Sequence, residues 1–538
     1  MAHNVLMHEM RYRPMYRKSS ENPQSCLLCS AKSFLNFYVS SNDGRYRNRM
    51  RRSFFLFLAI VLLGGHLAAA QDAPLFTQDF PPEEFAARRA KVYDAIGSGA
   101  VAVLQGEPTP RGYVKFRQSN EFYYLSGIEV PHAYLVLNGS SRTATLYLEH
   151  RKDGRERGEG KMLSVEDADL VRDLSGVDRV SALEDLSADL GGMLRRNSTS
   201  SVYTPFQPPE GFAESRDLGI RRVTDRLSDP WDGRPSREAH FIGLLQSRFP
   251  GFEISDLNPI LDELRLIKSP LEMEIIRKAT KLSSFAIMEA MRSVEPGVVE
   301  HEIDALAKFI YYRHGAQGDA YYSLIASGPN APFPHYHQGA RTMQEGELLL
   351  MDYAPDVGYY MSDITRMMPV GGRFNSEQQQ LYGFYVRAYR AILDRIRPGV
   401  TANHIKKEAA AAMRDYLAQW TFDKANHREA AERFVASYER GANSPGSGRL
   451  GHGVGMATHD VGTFDGPLRE GMVFTIEPAL RVPEENIYIR MEDLIIIHKE
   501  RAEIVSDFLP MEIEDIEALM REEGILQRYP KMIERVNK

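Results

Sequence analysis

Asp352 and Asp363 stand in an otherwise apolar stretch, ELLLMDYAPDVGYYMSDITR, at residues 347–366. A carboxylate in an apolar interior is costly unless it is paired, hydrogen-bonded or bound to a cation. The flanking runs suit β-strands, and the sequence PDVG between them is typical of a turn. A hairpin centred between Val357 and Gly358 would place the two aspartates directly opposite each other, where like charges repel. A divalent cation between them would remove that conflict. The alternative is that one aspartate lies in a turn or caps a helix.

A second stretch, FTIEPALRVPEENIYIRMEDLIII at 474–497, has the same arrangement with glutamates. Two apolar β-type runs again surround a polar turn that contains proline. A hairpin centred between Glu484 and Glu485 would place Glu477 opposite Glu492. Either glutamate could instead lie on the exposed side of an edge strand. Two hairpins that each present a pair of facing acids nevertheless favour a metal site.

Between the hairpins, the glycine-rich sequence LGHGVGMATHDVG at 450–462 contains His452 and, seven residues later, His459. A single histidine is more often a core or surface residue than a ligand. Together with four carboxylates, however, His452 would complete a set of one nitrogen and several oxygens, which is too many for one ion and suits two. Two ions roughly 3.5–4 Å apart can clamp a water and polarise a carbonyl. The predicted chemistry is therefore metal-assisted hydrolysis of an amide.

These motifs together resemble the pita-bread metallopeptidases, and within them the aminopeptidase P and prolidase branch. The resemblance rests on D-x10-D, H-x6-H, TIEPAL and RMEDLIII, and on FPHYH at 333–337. FRQSNEFYYLSGIEVP at 116–131 resembles the amino-terminal domain of the same branch. The resemblance implies an α+β protein with a creatinase-like N-terminal domain followed by a pita-bread catalytic domain, a curved antiparallel sheet covered by helices.

The resemblance also implies a ligand set for two divalent metal ions, with Mn²⁺ as the expected metal. Asp352 and His452 would be terminal ligands on opposite ions. Asp363 and Glu492 would bridge the ions, and Glu477 would bind one of them.

By the same resemblance, four residues would act in catalysis. Glu477 would shuttle a proton, and His335 and His459 would stabilise the tetrahedral oxyanion, a task for donors aimed at developing charge. Arg490 would support the site from behind the ligands.

The expected activity is release of the N-terminal residue from peptides with proline in second position, an Xaa-Pro aminopeptidase. One alternative is a prolidase restricted to Xaa-Pro dipeptides. The short stretch HDVGTFDGPLREGMVF lacks the arginine-bearing insertion of many prolidases and favours the aminopeptidase. A non-catalytic pita-bread binding protein or a creatinase-like enzyme would have lost the ligand set, which this chain keeps. By resemblance, we expect a homo-oligomer.

The chain has 538 residues, 43% of them hydrophobic, and a net charge of −7, which fits a globular protein of two or more domains. No basic, aromatic-interleaved patch suggests a nucleic-acid partner. MRRSFFLFLAIVLLGGHLAAA at 50–70 has the pattern of a secretory signal cleaved before Gln71. An uncleaved membrane anchor is the alternative, but the apolar run is short for a span. We therefore predict a secreted or periplasmic protein without a membrane anchor after cleavage, and interpret residues 1–49 as a non-native upstream extension.

The predicted domain boundaries follow from composition and turn signals. Residues 71–235 would form the N-terminal domain and 236–268 a linker, after the polar sequence SDPWDGRPS. Residues 269–520 would form the catalytic domain, which opens with a capping box at Ser269. Residues 521–538 would form a C-terminal tail.

Overall fold

The structure, a computed structural model, describes residues 79–196, 201–443 and 449–529. The predicted upstream extension and signal peptide lie outside these residues, as does the second half of the predicted tail, residues 530–538. Within the described ranges, no helix is long and apolar enough to cross a membrane.

The N-terminal part is built on a mixed six-stranded sheet in the order β4-β3-β2-β1-β5-β6. Its strands are β1 Ala100–Gln105, β2 Tyr134–Asn138, β3 Thr143–Leu148, β4 Arg179–Ala182, β5 Ser201–Thr204 and β6 Glu253–Asp256. The central strands β1, β2 and β3 pair antiparallel, whereas β4, β5 and β6 each join in parallel. The hairpin between β2 and β3 turns at Asn138, whose side chain accepts the Ser140 N–H at 3.0 Å.

Helices cover both faces of this sheet. They are α1 Pro82–Ile96, α2 Asn120–Ser126, α3 Asp153–Glu159, α4 Ala168–Ser175, α5 Leu186–Arg196, α6 Arg216–Ser228, α7 Arg237–Arg248 and α8 Asn258–Leu266. The apolar side chains of α1 join the main core, while α5 and α7 pack over Val101 and Val103 on the other face.

The segment 236–268 is not the linker that its composition predicts. It forms α7, then the edge strand β6, which pairs in parallel with β5, and then α8. Apolar side chains of α7, among them Phe241 and Leu245, pack on the sheet. Burial of this apolar face stabilises the helix, although the sequence just before it is polar and typical of a linker. The N-terminal sheet is therefore complete only at Asp256.

The catalytic part begins with the predicted capping box. Ser269 Oγ accepts the Glu272 N–H at 3.3 Å, and the Glu272 carboxylate accepts the Ser269 N–H at 2.8 Å. These bonds satisfy donors that a helix start would leave unpaired. Long helices cover the sheets of this part: α9 Pro270–Ser293, α10 Glu300–Arg313, α11 Ser376–Leu393, α12 Ala402–Gln419 and α13 Ala425–Asn443. Short helices α14 Ile513–Leu519 and α15 Ile525–Arg528 follow, and the Ile525 N–H donates to Glu289 of α9 at 2.7 Å.

The strands of the catalytic part form small antiparallel sheets. They are β7 Gly318–Asp319, β8 Leu324–Ser327, β9 Leu348–Asp352, β10 Pro355–Val357, β11 Tyr360–Met361, β12 Thr365–Pro369, β13 Val473–Ile476, β14 Ala479–Val482, β15 Ile487–Arg490, β16 Asp493–Ile497 and β17 Ala502–Ile504. Their orders are β11-β10-β7, β12-β9-β8, β13-β16-β17 and β14-β15.

The register predicted for the first hairpin is wrong by two residues. Asp352 lies opposite Thr365 rather than Asp363, and Val357 lies opposite Tyr360. The turn consists of Gly358 and Tyr359, both with positive φ (58° and 71°), as a two-residue type I′ turn requires. Because side chains alternate with a period of two, this shift leaves both aspartates on the predicted face.

A contact with the N-terminal part explains the position of this turn. The ring of Tyr359 stacks on Tyr123 with centroids 3.6 Å apart. Asp356, which the sequence places in the turn, is instead a buried strand residue paired with Arg117.

The register predicted for the second hairpin is confirmed. Ile476 lies opposite Asp493 and Ala479 opposite Arg490. Glu477 and Glu492 therefore face each other at the break between the two paired segments. The two hairpins also meet directly, because Thr365 forms an antiparallel bridge with Glu492.

Candidate metal centre

Asp352 and Asp363 come together on Tyr321. The Tyr321 hydroxyl lies 2.6 Å from Asp352 Oδ1 and 2.7 Å from Asp363 Oδ1. Asp352 ends β9, and Asp363 follows in the irregular segment between β11 and β12. Both carboxylates are buried, 3% and 5% exposed. The two aspartates are close together, as predicted. They are not paired across the strands, however, and the Tyr321 hydroxyl bridges their carboxylates.

Glu492 brings the second hairpin to the same place. Its Oε2 accepts the Thr365 hydroxyl at 2.9 Å, and its main chain pairs with that of Thr365. Its Oε1 is buried and has no hydrogen-bond partner within the described part of the chain. A buried carboxylate oxygen without a partner is costly, which marks this atom as one that a bound cation would satisfy.

His452 faces the carboxylates through Nε2. This atom lies 3.3 Å from Glu477 Oε1, 3.5 Å from Asp363 Oδ2 and 3.9 Å from Glu492 Oε1. The other ring nitrogen, Nδ1, lies 3.2 Å from the Gly453 carbonyl oxygen. That carbonyl can accept Nδ1–H, which fixes the ring and leaves Nε2 as the ligand atom.

The glycine before His452 allows the loop to lie against β13. The Thr475 N–H donates to the His452 carbonyl at 2.9 Å, so the loop runs beside the strand. A Cβ on Gly451 would stand 2.0 Å from the Thr475 carbonyl oxygen. A side chain at this position would push the loop, and His452 with it, off the strand.

The crowding of acids changes their proton affinities. Burial, reinforced by the charge of Asp352, raises the pKa of Asp363 well above its usual range. Burial and the charge of Asp363 do the same to the pKa of Glu492. Burial alone would lower the pKa of His452, but the hydrogen bond and charge of Glu477 raise it. The negative charges of the clustered carboxylates are therefore not fully balanced by the positive groups beside them.

The residues present fit a divalent metal. Single donor atoms of Asp363, His452 and Glu492 all lie within 4.8 Å of one another. Carboxylate oxygens and one imidazole nitrogen are the ligands that first-row divalent ions accept. A cation there would balance the negative charge of Asp363 and Glu492, whose pKa values are raised. It would also contact the Glu492 oxygen that has no hydrogen-bond partner among the described residues.

Arg490 contacts two of the predicted metal ligands. Its guanidinium donates to Asp352 through Nη2 and lies 3.3 Å from Glu477 Oε2 through Nη1. It is 5% exposed. The guanidinium therefore fixes the orientation of two predicted ligands that come from different hairpins.

His459 lies beside His452, with ring centroids 4.3 Å apart. Its ring Nδ1 is 3.3 Å from Asp217 Oδ2, and its main-chain N–H donates to Ser215 Oγ at 3.1 Å. Burial and the neighbouring His452 lower the pKa of His459. Both histidines and Asp217 line one cavity of about 570 Å³.

Among the described residues, no hydrogen bond or ion pair joins the His335 side chain to the cluster. That side chain is exposed to solvent. The loop that carries it is anchored by the buried Glu300, which accepts the hydroxyls of Ser327 and Tyr336, both at 2.8 Å. The catalytic role of His335 remains a prediction.

Three contributors to the site escape sequence reasoning: Tyr321, Thr365 and Asp217. Tyr321 is one of two adjacent tyrosines, and nothing in their spacing distinguishes it from the exposed Tyr322. Thr365 could have been found from the correct hairpin register, because it lies opposite Asp352. Asp217 carries no local signal.

An acid-rich cluster with one histidine, held between two antiparallel hairpins under a cover of helices, defines a metallopeptidase site. Residues 274–499 match the profile of metallopeptidase family M24, and residues 85–203 match that of the aminopeptidase P N-terminal domain. These two matches support the assignment of the chain to the aminopeptidase P branch of family M24.

Relatives and solved structures agree with this assignment. The Xaa-Pro aminopeptidase of Haemophilus influenzae is 28% identical over 460 residues, which cover 82% of this chain and 97% of the relative. Human Xaa-Pro dipeptidase is 28% identical over 422 residues, 73% of this chain and 78% of the relative. Escherichia coli aminopeptidase P with the inhibitor Pro-Leu has a TM-score of 0.65 at 26% identity, covering 82% of this chain and 98% of that chain. The predicted fold class, a creatinase-like N-terminal domain followed by a pita-bread catalytic domain, is confirmed.

Proposed function

We propose that this protein is a metal-dependent Xaa-Pro aminopeptidase, which releases the N-terminal residue from peptides with proline in second position. The observation that carries the proposal is the gathering of Asp352, Asp363, His452, Glu477 and Glu492 in a chain similar over most of its length to Xaa-Pro aminopeptidases.

We further propose that the site holds two divalent ions, with Mn²⁺ the preferred metal. Four carboxylates and one imidazole supply more donor atoms than a single ion needs. Asp363 is well placed to bridge, because it lies near both Asp352 on one side and His452 on the other. When bound, the ions would polarise the scissile carbonyl and lower the pKa of the attacking water.

The side chains around the ions have separate tasks. Glu477 is 30% exposed at its side chain, more than the other acids, so it can exchange a proton with solvent-derived water and with the leaving amine. Arg490 holds Glu477 and Asp352 in place. His459 supplies a donor beside the ligands for the oxyanion that forms during amide hydrolysis.

A small peptide panel tests the proposal. The purified protein should cleave Arg-Pro-Pro and release free arginine in the presence of Mn²⁺, and a chelator should abolish the activity. A matched peptide with alanine in second position should be cleaved poorly. Absence of arginine release from Arg-Pro-Pro by metal-loaded protein would contradict the proposed function.

Prolidase activity on Xaa-Pro dipeptides is the second candidate, because human Xaa-Pro dipeptidase shares 28% identity with the chain. The arginine in the short stretch after His459 is Arg469, whose guanidinium pairs with Glu263 at 2.8 Å. We propose that Arg469, so paired, does not bind a dipeptide carboxylate. Comparison of kcat/KM for Gly-Pro and Arg-Pro-Pro separates the two activities.

We also propose that the mature protein is secreted or periplasmic, begins at Gln71, and keeps no membrane anchor. The support is the basic, apolar and small-residue order of residues 50–70. A homo-oligomer is proposed from the family resemblance, and light scattering of the purified protein would measure it.

A further inference from the structure

We propose that Asp217 is a positioning residue for His459, so that the N-terminal part of the chain supplies a working component of the active site. This inference rests on the proposed function, in which His459 faces the oxyanion. It begins from the 3.3 Å contact between Asp217 Oδ2 and His459 Nδ1.

A carboxylate at Nδ1 orients an imidazole ring. It accepts Nδ1–H and so fixes the rotation of the ring, which leaves Nε2 as the nitrogen available to a substrate. Asp217 and His459 line the same cavity as His452, so the ring is held at the wall of that cavity.

The same segment also holds the backbone of His459. The Ser215 hydroxyl oxygen accepts the His459 N–H at 3.1 Å. Ser215 and Asp217 flank Arg216, at the start of α6. Ser215 therefore contacts the main chain of His459, and Asp217 contacts its ring.

Buried charges hold this segment in place. Arg216 is 7% exposed and pairs with Glu121 at 2.5 Å and with Asp262 at 2.9 Å. Glu121 lies in α2 and Asp262 in α8, so Arg216 ties the start of α6 to two other helices. Breaking such buried pairs is costly, which makes the segment a rigid support.

The loop that carries His459 is fixed from the other side. Asp460, the next residue, pairs with Arg265 at 2.5 Å and with Lys268 at 2.8 Å, and all three side chains are 1% exposed. A Cβ on Gly455 would stand 2.1 Å from Asp460 Oδ2, so the loop closes tightly on this aspartate. The main chains of both partners are therefore anchored, and their side chains, 44% exposed for His459 and 53% for Asp217, meet in the cavity that they line.

The test is a double-mutant cycle on the purified full chain with Mn²⁺ and Arg-Pro-Pro. Asp217→Ala should lower kcat by about 10–100-fold, the range for partners that orient a functional group, with KM changed little. In a His459→Ala background the same change should have no further effect, because its partner is gone. Asp217→Glu should recover part of the loss.

Asp225→Ala is the matched control, because Asp225 is an exposed aspartate further along α6. It should leave kcat unchanged, and melting temperatures should show that all variants are folded. Equal kcat for Asp217→Ala and Asp225→Ala, or multiplicative losses in the double variant, would overturn the proposal.

A second readout does not depend on activity. Crystal structures of the wild type and of Asp217→Ala should show the His459 ring in one rotamer in the former, and turned or mobile in the latter. An unchanged ring in Asp217→Ala would overturn the positioning role. If the wild type cleaves no Xaa-Pro peptide but its ring is held and Asp217→Ala releases it, the proposed function fails and the positioning role survives.

Discussion

Arg366 and Asp493 form an ion pair with an Nη2 to Oδ1 distance of 2.6 Å, and neither side chain is exposed to solvent. Arg366 belongs to β12 of the first hairpin and Asp493 to β16 of the second. Arg366 also donates to the main-chain carbonyl of Glu492 at 2.9 Å. The pair therefore joins the two hairpins directly behind the predicted metal ligands.

Removing one partner of this pair should destabilise the protein and loosen the metal site. Asp493→Ala would leave a buried guanidinium without its counter-charge, a loss of about 3–5 kcal/mol of unfolding free energy. Denaturant unfolding measures this loss, and metal analysis of the folded fraction should show weaker binding. Joint replacement by apolar residues, Arg366→Met with Asp493→Leu, should recover much of the stability. A loss below about 1 kcal/mol in Asp493→Ala would contradict the assigned role.

His459 and His452 should respond differently to substitution. His459→Ala should lower kcat by about 10²–10³, the usual effect of losing one oxyanion donor, while metal content and melting temperature stay near wild type. His452→Ala should instead deplete metal, because it removes the nitrogen ligand from the predicted set. Near-normal kcat in folded His459→Ala protein would exclude that residue from the mechanism.

The two aspartates should differ in metal stoichiometry. Asp363→Ala removes a predicted bridging ligand and should weaken the binding of both ions, whereas Asp352→Ala should chiefly empty one site. Elemental analysis after dialysis against limiting Mn²⁺ gives ions per chain for each variant. Two tightly bound ions in Asp363→Ala would show that this residue does not bridge.

Glu107 should make the N-terminal part less stable as pH rises. Burial raises the pKa of its carboxyl from 4.5 to about 7, although Arg237 opposes the shift. Between these values the folded protein holds a proton that the unfolded chain has released, so unfolding free energy falls as pH increases and stays lower above pH 7. Glu107→Gln should lack this loss. Its stability relative to wild type should therefore rise through that window, as measured by thermal melting across pH.

The control for this prediction is Glu83→Gln, since Glu83 is an exposed glutamate in α1. Its stability difference from wild type should change less with pH. If the difference between Glu107→Gln and wild type stayed constant over the same range, the raised pKa would be wrong.

Expression from Met50 should yield exported protein that begins at Gln71. The expected readout is the intact mass and N-terminal sequence of the protein recovered outside the cytoplasm. Leu58→Arg, which interrupts the apolar run, should block export and leave the segment uncleaved. In a parallel expression of the full 538-residue chain, cytosolic protein that retains residues 1–49 would contradict both the start site and the localisation.

Local pattern was sufficient for the second hairpin because Pro483 to Asn486 end one strand and begin the next within a few residues. The capping box at Ser269 is equally local. The first hairpin was misregistered because Asp356 resembles a turn residue, yet it is drawn into a strand by Arg117, 239 positions away. Tyr321 and Asp217 find their partners 31 and 242 positions along the chain, and no short-range pattern contains such contacts.

The match to the N-terminal profile ends at residue 203, and the match to the catalytic profile begins at residue 274. The interval between them does more than connect the two domains. It contains Ser215 and Asp217, which contact His459, and Arg265 and Lys268, which hold Asp460. A chimera that exchanged the catalytic domain at the profile boundary at residue 274 would separate these residues from the loop they support. The two domains are therefore not interchangeable modules, and recombination between relatives should preserve activity only when the interval travels with the catalytic half.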